Sequence, residues 1–179
     1  MSLIQASLLT GLILSSFGIL IASTNSKVRS SIVGFPRSRL LSLWFVGIAT
    51  VWFLWRHVLF LSEADFGNYK LLIGTVALGT AILSFVFVPD FLAVRGLAMI
   101  ILLWAREVLD AAFLQDASSR LVLVTVTYIF IILSIYFGAW PYKLKDFMGW
   151  MNHRGSRFTY LGRILIITGV LMVILSFTY

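Results

Sequence analysis

Six apolar runs of membrane-spanning length constrain the fold of this chain more than any other feature of its sequence. An α-helix needs about 20 apolar residues to cross the hydrocarbon core of a bilayer, and each run has about that length. The composition agrees, because only 12% of the 179 residues are charged, whereas about a quarter are charged in a soluble domain. The predicted spans are residues 3–22, 40–61, 70–88, 91–114, 121–140 and 160–177. The predicted fold class is therefore all-α, a polytopic integral membrane protein with a single transmembrane domain over residues 1–179.

The charges of the loops predict the orientation of these spans, because loops rich in Lys and Arg stay in the cytoplasm. The loop between the first and second spans holds basic residues and no acid: Lys27, Arg29, Arg37 and Arg39. The loop between the fifth and sixth spans is also basic and has one acid, Asp146: Lys143, Lys145, Arg154, Arg157 and Arg163. The alternate loops hold Glu63 and Asp65 before Lys70, and Asp116 with Arg120. Both termini are therefore predicted to lie outside a cell inner membrane.

The prolines agree with this topology. The chain has three, Pro36, Pro89 and Pro141, and each falls at a predicted cytoplasmic turn. Proline cannot continue a helix but suits the first turn of one. The six spans are therefore predicted to form three helical hairpins, each with its turn at the inner face.

The first span is predicted to be a retained membrane helix and not a signal peptide. No basic residue precedes its apolar run, and the sequence LIASTNS that follows is a poor cleavage site.

The segment 142–152, YKLKDFMGWMN, is predicted to form a short cytoplasmic helix that lies in the membrane interface. Its apolar residues recur at helical spacing: Leu144, Phe147, Met148 and Met151. Trp150 suits the headgroup level, and Lys143 and Lys145 can meet anionic phosphates. The alternative is a plain cytoplasmic loop. If the helix forms, a further hypothesis is that it senses or recruits lipid.

Small residues recur along two spans and predict close helix packing in lipid. They are Gly11, Ser15, Gly18 and Ala22 on the first span, and Gly74, Ala77, Ala81 and Ser84 on the third. The sequence leaves open whether the neighbouring helix belongs to this chain or to another subunit. Most of the tryptophans lie toward span ends, where they are typical interfacial anchors.

Ionisable residues interrupt the second and fourth spans at one predicted depth. With a rise of 1.5 Å per residue, Arg56 and Glu107 each lie about 24 Å from the start of their span. The predicted layer, toward the outer leaflet, contains Arg56, His57, Arg106, Glu107 and Asp110. Around the fourth span, Asp110 and Arg95 lie about 40° and 20° from Arg106, so Arg95 forms the inner end of a polar stripe. Arg106 and Asp110 have the i, i+4 spacing of an ion pair, and Arg56 reaches Glu107 if the two spans are neighbours.

Three explanations of this charged layer remain open. The first is structural: the charges pair between helices and fix their register, or extend to the outer interface. The second is transport, with Glu107 or Asp110 as a proton or cation relay, both arginines tuning it and His57 as a shuttle. The third is binding, in which the polar stripe contacts a lipid headgroup, a quinone or a partner subunit.

The sequence argues against most other functional classes. It lacks cysteine and has two histidines, predicted on opposite sides of the membrane, so no cofactor or metal site is expected. No hydrolase, zinc-protease or phosphate-loop motif is present, so no enzyme activity is expected. The net charge of +7 follows the topology pattern, and nucleic-acid binding is not expected.

The sequence therefore predicts a non-catalytic structural or accessory subunit of a larger or self-associating membrane assembly. Its expected partners are the lipid bilayer and other membrane subunits or further copies of itself. A small transporter or ion conduit is the alternative.

Overall fold

The computed structural model describes residues 1–23, 25–62 and 66–178, and this part of the chain is helical without strands. The all-helical prediction is therefore confirmed. The α-helices are α1 (Leu3–Ala22), α2 (Ser26–Gly34), α3 (Arg39–Phe53), α4 (Lys70–Phe87), α5 (Leu92–Ala112), α6 (Arg120–Ala139), α7 (Pro141–Asn152) and α8 (Gly155–Leu175). A π-helical turn, Leu54–Val58, continues α3, and short 3-10 turns cover Phe35–Arg37, Gly67–Tyr69 and Ser176–Thr178.

The helices begin where the sequence supplies caps. The Ser2 hydroxyl accepts a hydrogen bond from the Gln5 backbone amide, and the Gln5 side chain accepts one from the Ser2 amide, which completes a capping box on α1. The Ser38 hydroxyl caps α3 by accepting from the Leu41 amide. Pro141 is the first residue of α7, where its missing N–H costs no hydrogen bond.

Five helical segments are long and apolar enough to cross a membrane, and they suggest a membrane protein. Within the described residues they are Leu3–Ala22, Arg39–Val58, Gly67–Phe87, Arg120–Ala139 and Gly155–Thr178. Helix α5 has the necessary length, 21 residues, but it differs from the others in its charge. Arg95, Arg106, Glu107 and Asp110 all lie within it.

Helices α1 and α8 pack antiparallel with their backbones in close approach. A methyl group added to Gly11 would lie 2.6 Å from the Gly169 carbonyl oxygen, and one added to Gly18 would lie 2.8 Å from that of Gly162. The hydroxyl of Ser7 donates to the Met172 carbonyl across the same seam at 2.8 Å. The small residues of the first span therefore pack against a helix of the same chain.

Helix α5 lies at the centre of the bundle, in contact with α1, α3 and α6. Its last two turns join a buried apolar cluster with the ends of α1, α6 and α8: Leu3, Ala6, Val108, Ala111, Ala112, Leu123 and Met172. Helix α4 is peripheral in the described part of the chain, because none of its side chains is buried and its main contacts with the long helices are to α3 and the π turn.

The bundle has two ends that differ in composition. At one, here called the terminal end, the start of α1 and the end of α8 meet the connection 113–119, where the Thr178 hydroxyl donates to that of Ser119 at 3.1 Å. At the other, the proline end, Pro36 and Pro89 lie in turns between helices and Pro141 begins α7. The acidic residues Glu63 and Asp65, which contribute to the predicted orientation, lie outside the described residues.

Two helices at the proline end anchor basic side chains. Helix α7 covers the segment predicted to be helical, whereas α2 lies in a connection for which no helix was predicted. Arg29 of α2 donates to the Gly155 carbonyl at 3.1 Å and lies over the Phe158 ring. Arg157 donates to the Trp150 carbonyl at 2.7 Å and covers the indole at 3.9 Å. These contacts tie α2 and α7 to the beginning of α8.

Candidate functional site

The five ionisable residues predicted to share a layer come together at the terminal end of α3 and α5. The π turn carries Arg56 and His57. Its hydrogen bonds join residues five apart, as the 3.0 Å bond from the Leu59 amide to the Leu54 carbonyl shows. Turns of this kind insert one residue into a helix and are frequent at functional sites. The ring of His57 packs against that of Phe53, one turn earlier, with centroids 5.8 Å apart.

Arg56 and Glu107 form a bidentate ion pair between α3 and α5. The Arg56 Nε lies 2.9 Å from one Glu107 carboxylate oxygen and its Nη2 lies 3.3 Å from the other. Glu107 is the more enclosed partner, with 13% of its side chain exposed against 53% for Arg56. The two parallel hydrogen bonds fix the position of one helix relative to the other, and they also pair the two opposite charges.

Arg106 contacts both His57 and Asp110. Its Nη1 lies 2.9 Å from the His57 Nδ1, and because a guanidinium only donates, the imidazole nitrogen accepts. This bond places the imidazole proton on Nε2, which is buried and has no hydrogen-bond partner among the described residues. The second contact is looser, since Arg106 Nε and an Asp110 oxygen are 3.8 Å apart and both side chains are more than 60% exposed.

The position of the cluster explains how these charges are tolerated. Asp110 lies two residues before the end of α5, and Arg56 lies two residues before the end of the π turn. At 1.5 Å per residue these charges are ~3 Å from their helix ends, and Glu107 is ~7.5 Å from its own. Two arginines and two carboxylates also cancel formally. All five residues line a polar pocket of about 240 Å³ together with Phe60 and Leu61.

A larger cavity, of about 630 Å³, lies beside the charged pocket between α3, α4 and α5. His57 and Arg106 line both spaces, so the cavity begins where the charged pocket ends. Its wall is largely aliphatic and aromatic, and it includes Ala77 and Ala81 of the small-residue pattern predicted on the third span. Three hydroxyls also line it, but each donates to a carbonyl of its own helix: Thr50, Thr80 and Ser84.

Arg95, predicted to form the inner end of the polar stripe, lines this cavity 11 residues before Arg106. It is half-buried. In the described part of the chain it forms no ion pair or hydrogen bond through its side chain. Asp90, the acid nearest to it in sequence, does not pair with it. The charges of the cluster are therefore matched, whereas Arg95 has no ion pair among the described residues.

A third concave surface runs along the outer face of α3 and the π turn. This groove has a volume of about 710 Å³, and the described residues that line it all belong to that segment: Leu43, Trp44, Gly47, Ile48, Val51, Trp52, Trp55 and Arg56. A methyl group added to Gly47 would meet nothing within 4 Å. The sequence analysis did not predict this groove. The signal that could have revealed it is a glycine with tryptophans on both sides at helical spacing.

The interfacial residues predicted on α7 lie at the proline end, opposite to the charged cluster. Lys143 and Lys145 are exposed, and the Lys143 Nζ lies 5.5 Å from the centre of the Tyr142 ring. Trp150 is exposed on one side and stacks on Phe147 with ring centroids 6.1 Å apart. These residues are separate from the cluster and do not extend it.

Comparison with known protein families, with curated proteins and with solved structures found no match. Among the described residues, no group of three His, Cys, Asp or Glu side chains is placed to hold a metal ion. The fold itself defines the class of the protein, a bundle of helices in which five of the described segments are long and apolar enough to cross a membrane.

Proposed function

We propose that the chain is a multi-pass protein of the cell inner membrane with six spans, of which α5 is the sixth candidate. Its length and central position support this assignment, and the Arg56–Glu107 pair supports it by neutralising charges that α5 carries near its end. An even number of spans agrees with α1 and α8, which lie antiparallel with their free ends together. The basic loops at the proline end favour a cytoplasmic proline end and external termini.

Within that setting, we infer a non-catalytic role as a structural or accessory subunit of a larger or self-associating membrane assembly. The observation that carries this proposal is the groove along α3. Helices pack by inserting the ridges of one into the grooves of another, and small residues in membrane helices allow close approach. Trp44 and Trp55 line this concavity together with Gly47, which lies between them in the sequence, and such a surface is suited to a partner helix.

The charged cluster continues this surface. Arg56 lines both the groove and the polar pocket, so a helix lying in the groove would end beside Arg106 and Asp110. These two side chains are 61% and 67% exposed and paired only at 3.8 Å. They therefore have unused hydrogen-bonding capacity for a partner of complementary charge.

Filling the groove tests this role. Gly47→Leu is expected to release the partner subunit, or to convert an oligomer to a monomer, because the added side chain occupies the partner's place. The substitution has open space around it, so folding is expected to persist. The measurement is the mass of the complex released from native membranes, together with the subunits that co-purify in mild detergent.

Gly79→Leu on α4 is the matched control, since a methyl group there also meets nothing within 4 Å and Gly79 does not line the groove. Assembly should survive in this variant. If Gly47→Leu leaves the mass of the complex unchanged, or if the wild-type chain is monomeric and partnerless in native membranes, the proposal is wrong.

A small transporter or a proton or ion conduit is a second candidate, favoured by one observation. His57 and Arg106 line both the polar pocket and the cavity that leads toward Arg95, so the two spaces share part of their walls. The hydroxyls along the cavity are already engaged with helix carbonyls, which leaves few groups to relay a proton.

Flux measurements separate this candidate from the structural role. For a conduit, Glu107→Gln or Asp110→Asn abolishes proton or cation flux in proteoliposomes and leaves assembly intact. For the structural role, no flux is expected from the wild-type chain, and Glu107→Gln lowers stability. Wild-type flux that is lost in either variant would establish the conduit.

A further inference from the structure

Arg95 is a cation without a counter-charge at the edge of an apolar cavity. An arginine in a membrane helix is costly unless it is paired or reaches the interface, and the Arg95 side chain forms no ion pair or hydrogen bond with the described residues. It lies three residues after the start of α5, ~4.5 Å from the proline end of that helix. An anion at headgroup depth is the group that would complete its environment.

The cavity continues from Arg95 in the direction that an acyl chain would take. Met99, Leu102 and Leu103 line it along α5, and the eight residues from Arg95 to Leu103 rise ~12 Å. Half of the ~30 Å hydrocarbon core is ~15 Å. The cavity volume, about 630 Å³, falls within the range typical of ligand sites, ~300–1,000 Å³.

The packing of α4 gives the cavity its shape. Near the π turn, a methyl group added to Gly74 would touch Leu54 and Val58 at 3.8 Å. Further along α4, toward the proline end, Ala77 and Ala81 face the cavity instead. Helix α4 thus approaches α3 at the terminal end and leaves space beside Arg95, where its small side chains form one wall.

We propose that this cavity, between α3, α4 and α5, binds an anionic phospholipid, with the headgroup phosphate at Arg95 and an acyl chain along Met99, Leu102 and Leu103. Arg95 supplies a fork of N–H donors suited to a phosphate. Basic surroundings add to the selectivity, since Arg37 lies at the same end with its guanidinium 5.6 Å from the centre of the Phe91 ring, one turn before Arg95. The proposal is independent of the assembly role assigned to the α3 groove.

The test measures lipid retention by the full-length chain. Purified protein is reconstituted in nanodiscs containing equal amounts of phosphatidylglycerol and phosphatidylcholine, extracted in mild detergent and examined by native mass spectrometry. Wild-type protein is expected to retain one phosphatidylglycerol. Arg95→Gln is expected to weaken that retention about fivefold, which corresponds to ~1 kcal/mol for one basic side chain at the headgroups, and Arg95→Lys to keep part of it.

Matched variants separate the cavity from general attraction to basic surfaces. Ala81→Leu is expected to reduce retention by narrowing the cavity, whereas Gly79→Leu on the same helix keeps it. Arg154→Gln, which removes an exposed basic residue at the same end, is also expected to keep it. Inorganic phosphate alone should not raise the melting temperature, because it lacks the acyl chain.

Several results would overturn the proposal. These are equal retention of phosphatidylcholine and phosphatidylglycerol, an undiminished signal in either Arg95→Gln or Ala81→Leu, or a loss in Arg154→Gln equal to that in Arg95→Gln. Stabilisation by phosphate alone would identify a simple anion site in place of a lipid site. Because Arg95→Lys preserves the charge, a folding failure of Arg95→Gln does not remove the test.

Discussion

At the scale of single residues, the charged cluster combines one close ion pair with one loose ion pair. Arg56 and Glu107 form two hydrogen bonds across helices, whereas Arg106 and Asp110 approach only to 3.8 Å along one helix. An exposed ion pair contributes little because water competes for both charges. The enclosed carboxylate of Glu107 is therefore the member whose loss should matter most for stability.

A double-mutant cycle is expected to measure this difference. Glu107→Gln and Arg56→Gln should each lower the free energy of unfolding in detergent, and the double variant should be less damaging than the sum. A coupling energy of about 1 kcal/mol is expected for this half-exposed bidentate pair. Chemical or thermal unfolding followed by circular dichroism gives the four values.

The Arg106–Asp110 pair is the internal control for this cycle. Because both side chains are more than 60% exposed, the same cycle with Arg106→Gln and Asp110→Asn should give a coupling below about 0.5 kcal/mol. A coupling as large as that of Arg56 and Glu107 would show that exposure does not govern these contacts.

The sequence predicted part of this cluster. Helical rise and rotation placed five ionisable residues at one depth and placed Asp110 one turn from Arg106. They did not predict the bond between Arg106 and the His57 Nδ1, 2.9 Å long, because it depends on how α3 and α5 cross and on the π turn. A regular helix was assumed there, and a single inserted residue changes every direction beyond it.

At the scale of helices, hydropathy predicted the long apolar helices, whereas helical segments rich in polar residues were missed or shortened. The first span was predicted with the bounds that α1 has, Leu3–Ala22. Helix α8, which contains the predicted sixth span, begins at Gly155, five residues before the predicted start, because Arg157 interrupts the apolar run without interrupting the helix. Helix α2 was missed, since its sequence, SKVRSSIVG, is short and polar.

The pairing of helices could not be predicted from the sequence. Spacing identified Gly11 and Gly18 as a seam, but it gave no information about the partner helix. In the structure, Gly162 and Gly169 of α8 have the same seven-residue spacing and face them in antiparallel order. Contacts between the ends of a chain depend on the packing of everything between them.

The α1–α8 seam leads to a prediction on stability. Gly169→Ala is expected to lower the free energy of unfolding by about 2 kcal/mol, because its methyl group would lie 2.6 Å from the Gly11 carbonyl oxygen and overpacking costs about 1–3 kcal/mol. Gly79→Ala, in open space on α4, should be neutral or stabilising, since alanine is the better helix former. Thermal unfolding of the three proteins decides the matter, and equal melting temperatures would contradict the close packing.

At the scale of the whole molecule, the two ends of the bundle differ in charge and in construction. The proline end contains helices α2 and α7, whose surfaces present basic residues, among them Lys27, Lys143 and Lys145. The terminal end contains the neutralised cluster and short connections. A bundle with one basic end has a preferred direction in a membrane, because basic segments are retained in the cytoplasm.

The absence of cysteine from the sequence makes this direction measurable. Single cysteines at exposed positions report which side they occupy: Asn68→Cys and Gln115→Cys at the terminal end, and Ser31→Cys and Asn152→Cys at the proline end. On intact cells, a membrane-impermeant maleimide is expected to label the first two variants, and to label the other two only after permeabilisation. The opposite pattern would invert the proposed orientation. If the two positions of one end were labelled from different sides, six spans with both termini outside would be excluded, because each pair lies at a single end of the bundle.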